Sequence, residues 1–137
     1  MSIAGTYTHL VGTASVTALV GKRVHHLTLP QDCAYPAIVI QQVSGEREGA
    51  MGGLGGTGEA HPTIQITSWG TTITSAKAVS DAVRVTTDGF KGDFGGTTVR
   101  AAILRNELDT EDYDVKTGRR YFGVIQEYEI WHAEATT

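Results

Sequence analysis

Cysteine is almost absent from this sequence: Cys33 is the single one in 137 residues. No internal disulfide and no thiolate zinc cluster can therefore form, and a reducing, cytosolic place of synthesis is expected. A basic surplus is missing too. Eleven Lys and Arg stand against 15 Asp and Glu, and the formal net charge of -4 argues against a dedicated DNA-coating protein. No apolar run nears the ~18 residues of a membrane-spanning helix, and the first residues lack a basic stretch followed by an apolar one. Three prolines form no linker, and no internal repeat is present. One domain is the reading. With 40% hydrophobic and 19% charged residues the chain is not a disordered polyelectrolyte, and at this length about two thirds of its surface is buried on folding.

Glycine is in excess, and seven of the 17 fall between Gly45 and Gly58. Around that segment the apolar pattern is readable. Tyr7, Leu10, Val11, Ala14 and Ala18 recur at helical spacing, so a helix is predicted over Tyr7–Val20, although Gly12, Thr13 and Thr17 are poor helix formers. Val24–Leu27 predicts a short strand and Ala37–Val43, dense in β-branched residues, a largely buried one. Thr63–Trp69 alternates strictly and predicts a half-buried strand. Thr71 or Thr72 can cap a second helix to about Thr86, with Ile73, Ala76, Val79, Ala82 and Val83 as its stripe. Thr98–Leu104 and Phe122–Trp131 are further strands. In the last, Phe122, Val124, Tyr128 and Ile130 share one face, and Ile125, Glu127, Glu129 and Trp131 the other. Three strands in succession favour an α+β domain: an antiparallel or mixed sheet of about four to five strands with two helices on one face.

Arg105–Arg120 carries five acids and four bases and no apolar periodicity. Sixteen residues are long for a connection, and a charged hairpin extension or a partner-binding loop would account for them.

No motif carries chemistry. Residues 53–58, GLGGTG, match the dinucleotide fingerprint formally, but an alternating strand follows instead of the helix whose N-terminus would hold the pyrophosphate. His25 and His26 are neighbours on a strand and point to opposite faces, which suits no shared metal. Cys33 reads as a half-buried thiol without a base assigned to it. Leu108–Val115 lacks the glycine of a calcium loop. Glu127 and Glu129 share a strand face, where solvated carboxylates are commoner than an acid/base pair. No catalytic residue, cofactor or metal is expected.

Glu46 and Arg47 stand at a strand end, and Met51 and Leu54 are apolar residues in an otherwise polar loop. They suit anchors in a neighbour's groove. Asp112, Tyr113, Arg119 and Arg120 in the charged segment are the second group of candidate interface residues.

Gly21-Lys22-Arg23-Val24, Leu29-Pro30-Gln31, Ala34-Tyr35-Pro36, Ile38-Val39 and Gln42–Arg47 come in an order that resembles the small tail-completion, or tail-terminator, proteins of long-tailed bacteriophages. Gln65-Ile66, Trp69-Gly70, Ala76–Arg84 and Tyr128–Trp131 extend the resemblance to most of the chain. Thr67-Ser68 and His26 depart from it, where the family often has an acid and a proline. The resemblance implies a virion structural protein that caps the tail tube and docks on the head-side connector or stopper. It implies a six-fold ring of identical subunits through which DNA passes without specific binding. Another neck protein, such as a head-closure or connector protein, is the alternative, and a small ligand-binding domain using the glycine loop a more distant one.

Overall fold

The computed structural model describes residues 2–29, 34–44, 47–48, 59–94, 97–115 and 118–133. The predicted first helix is two helices, α1 (Ser2–Val11) and α2 (Ala14–Val20). The break falls at Gly12-Thr13. Thr13 takes an extended conformation (φ -101°, ψ 115°), and its hydroxyl donates 2.7 Å back to the His9 carbonyl instead of capping α2. That local bond competes with helix continuation, and glycine beside it offers little resistance.

Strand β1 (Val24–His26) runs parallel to β2 (Ala37–Ser44), which pairs antiparallel with β5 (Thr63–Gly70). Between them lie two short strands, β3 (Arg47–Glu48) and β4 (Glu59–Ala60). Helix α3 (Ile73–Thr87) follows, then β6 (Gly92–Phe94), β7 (Thr97–Asp114) and β8 (Arg119–Ala133). The main sheet runs β1-β2-β5-β8-β7 and is mixed; β1 is one edge, and at the other β6 pairs only with the start of β7.

Alternation assigns the two faces. Ile38, Ile40, Ile64, Ile66, Tyr128 and Ile130 are fully or almost fully buried against Leu10, Val16, Val20, Val79 and Val83 of the three helices. The other face, carrying Val39, Gln65, Ile125 and Glu127, has no helix over it among the described residues. Helix α3 begins as expected, with the Thr72 hydroxyl accepting from the Ser75 N–H at 3.1 Å.

One polar group is misplaced in this core. Ser68 is 0% exposed between Ile38 and Val124 of the neighbouring strands, and its hydroxyl has no hydrogen-bond partner among the described residues. Ser68→Ala removes an unsatisfied hydroxyl without opening a cavity. The expected result is a gain of up to about 1 kcal/mol, read as a higher Tm. A Tm lowered by several degrees would mean that the hydroxyl is bonded.

Candidate functional site

Most of the charged segment 105–120 is strand. It is the hairpin extension rather than a loop, since β7 and β8 stay in register to Asp114↔Arg119. The pattern was hidden by a bulge. Arg105 is an extra residue between Leu104↔Tyr128 and Asn106↔Glu127, which shifts the alternation by one. Leu108 thus faces Ile125 on the uncovered side, while Glu107, Asp109 and Glu111 turn to the helix side.

The neighbouring strand ends at Gly70↔Phe122, so Asp112–Asp114 and Arg119–Tyr121 project as a two-stranded tip. Their side chains pair locally. Lys77 Nζ meets Asp109 at 2.7 Å, and Arg120 meets Glu111 at 3.3 Å and lies 5.8 Å over the Tyr113 ring. The Asp109 hydrogen bond holds the Lys77 ammonium above its ordinary pKa. The Asp112 carboxylate accepts from the Tyr113 N–H. Exposed pairs of this kind contribute only ~0–1 kcal/mol each. Tyr113 and Val115 remain 53% and 83% exposed. The tip therefore gains its order from the backbone ladder and offers its side chains outward.

At the other end of β8, β4 pairs with its last residues (Glu59↔Ala133, Ala60↔His132), and β3 pairs with β4 (Arg47↔Ala60). The β2–β5 hairpin thus continues beyond the main sheet as β3–β4. Arg47 stands on this extension, and Glu46, Met51, Leu54 and Cys33 lie outside the described residues. Of the first group of sequence candidates only Arg47 is described, and it is not brought together with Arg119. The two lie toward opposite ends of β8, whose 15 residues span about 45 Å at ~3.3 Å per residue.

Residues 6–133 match the family described as Tail completion protein gp17. The chain belongs to that family. The match includes both hairpin ends, and membership makes the chain a structural component of a virion tail. No curated protein matches it. Among solved structures it is similar to a chain from the "Virion of native gene transfer agent (GTA) particle", with a TM-score of 0.62 and 16% identity. The alignment covers 95% of this chain and 92% of that one, so the fold is shared over nearly its whole length.

The uncovered sheet face of this tail completion family member carries contacts that alternation alone did not show. Glu129 accepts from Arg105 at 3.0 Å and from the Trp131 indole N–H at 2.6 Å, and His61 stacks on Trp131 at 4.1 Å. Burial pushes the Glu129 carboxyl up, but the Arg105 and Trp131 hydrogen bonds outweigh it and hold the group below its ordinary pKa. Glu127 accepts from Asn106 at 3.3 Å. Both carboxylates are thus engaged by neighbours rather than set against each other. Tyr35 stacks on Tyr121 at 4.5 Å. Among the described residues no group of three or more His, Cys, Asp or Glu could hold a metal, and no helix is long and apolar enough to cross a membrane.

Proposed function

We propose that this chain caps the tail tube and joins it to the head-side connector or stopper, as a ring of six identical subunits around the DNA channel, with no catalytic step. Family membership supports the tail location, and one structural observation carries the rest. The sheet ends in two different hairpin extensions, β3–β4 and the β7–β8 tip, at opposite ends of a single strand. A subunit that must contact unlike partners on two sides needs two such unlike surfaces. The acidic balance of the chain suits a channel wall, because affinity for phosphates comes chiefly from Lys and Arg.

Two experiments test this reading. Particles made without the chain are expected to accumulate as separate heads and tails in electron micrographs. Joined particles of normal yield would refute the joining role. Reversing Arg119 and Arg120 to Glu is expected to leave the Tm within a few degrees, because both residues and the Arg120–Glu111 pair are exposed, while joined particles are lost. An equal loss of folding and joining would instead make the tip part of the core.

A further inference from the structure

The two edges of the sheet differ in charge as its ends differ in shape. On one edge, β7 pairs with β6 only as far as Val99, and the turn after α3 covers it to Leu104. There Gly89 N–H donates to Ala102 O at 2.7 Å, Ala102 N–H to Phe90 O at 3.1 Å, and Leu104 N–H to Asp88 Oδ1 at 3.0 Å. From Arg105 to Asp114 no strand pairs with this edge among the described residues. That open stretch carries five acids and one base, together with exposed Leu108 (42%) and Tyr113 (53%).

The opposite edge is β1 and the part of β2 beyond it. Residues 1–31 contain no Asp or Glu at all, and Lys22, Arg23, His25 and His26 cluster at β1. Arg23 is anchored to carbonyls, Pro36 O at 2.9 Å and Leu19 O at 3.4 Å, so its charge is not neutralised by those bonds. Leu27, directly after β1, has φ +71°, a left-handed conformation that a leucine adopts only at a cost, yet it is 55% exposed. Its N–H is fixed to Ile40 O at 3.0 Å. Val43, three residues beyond Ile40 on β2, is 44% exposed. Strain that holds an apolar side chain in water gains nothing for the isolated subunit.

We infer that the basic β1–β2 edge of one copy, which carries exposed Leu27 and Val43, receives the acidic outer edge of β7 of a second copy. Each edge offers exposed apolar side chains and an excess of one sign of charge, in β7 even after Lys77 and Arg120 pair with Asp109 and Glu111. From Arg105 to Asp114, β7 also offers outer-edge backbone that no strand pairs among the described residues. The two edges lie on opposite sides of the subunit, so the contact is head-to-tail and propagates around a circle. This inference rests on the ring reading for its closure. It leaves the β3–β4 end and the β8 side of the β7–β8 tip free for the tube and the connector.

The test uses the whole chain with one edge disabled at a time. One variant carries Lys22→Glu with Leu27→Asn, since Asn tolerates the left-handed conformation. The other carries Leu108→Lys with Asp112→Lys. Each is expected to keep the wild-type Tm or exceed it, and to self-associate about tenfold or more weakly in sedimentation. Wild-type association is expected to weaken with salt. Mixed in equal amounts, the two variants retain one good edge of each kind and are expected to form a heterodimer that grows no further. If both variants assemble like wild type, the edge assignment is wrong and the ring stands on other contacts. If wild type associates into a species other than a closed ring and the edge variants abolish it, the edge contact stands and the ring reading falls. A wild-type chain that stays monomeric at every concentration, with no heterodimer from the mixture, overturns the edge contact, and the ring is then judged on particles containing tube protein.

Discussion

Tyr128→Ala is expected to cost about 3–5 kcal/mol of stability, the range for deleting a fully buried aromatic ring. Tyr128 is 0% exposed and sits opposite Ile64 on one side and Leu104 on the other, at the middle of the core face. Its hydroxyl donates to Gln126 Oε1 at 3.2 Å, and Gln126 Nε2 donates to Ser80 O at 3.1 Å and Glu107 Oε1 at 2.8 Å. This chain of bonds ties β8 to α3 and to β7 through a buried amide. Burial, with the nearby Asp88 and Glu107 carboxylates adding to it, pushes the Tyr128 phenol well above its ordinary pKa, so the group remains a donor. Tyr128→Phe keeps the ring and is expected to lose only about 1 kcal/mol. Denaturant unfolding checks both. A cost for Tyr128→Ala near that of Tyr128→Phe would mean that the ring is not packed as described.

Gly70→Val is expected to cost about 3 kcal/mol for the opposite reason, an excess of volume. A Cβ at Gly70 would lie 2.9 Å from the Ala76 backbone nitrogen and 3.0 Å from Ser75 Cβ and Oγ. The first turn of α3 rests directly on the end of β5, and no flexible side-chain end can yield there. Gly89→Ala is the control. Gly89 has φ +78° but nothing within 4 Å of an added Cβ, so only the backbone strain is felt, about 1 kcal/mol. Comparable losses at the two positions would show that α3 does not seat on Gly70. Since α3 also supplies Lys77 to Asp109 of β7, lifting its first turn is expected to loosen the adjoining hairpin as well.

What the sequence revealed follows its hydrophobic pattern. Ala37–Val43, Thr63–Trp69 and the α3 stripe from Ala76 to Val83 each have one face in the core, and their periodicity is readable because burial imposed it. Ile73, at the first turn of α3, is 40% exposed instead. The predicted faces of Phe122–Trp131 hold in the structure for the same reason. Where neither face is buried, burial no longer imposes an alternation. Residues 105–114 are strand because β8 holds them, and the bulge at Arg105 breaks what alternation remains. Gln126 was passed over because a polar residue on a core face carries no apolar signal, although its amide is fully bonded within the protein. The first helix broke where its weakest formers stand, at Gly12-Thr13. Among the candidate interface residues, chain order could not show that Arg47 and Arg119 end up on opposite ends of one sheet. That follows from register, which only the assembled sheet supplies.

Native mass spectrometry of the purified chain, alone and with tail tube protein, tests the central proposal most directly. The ring reading predicts a species of six copies, either by itself or on addition of tube protein, since closure of a ring can require the tube as a template. Only monomer or dimer under both conditions would contradict it.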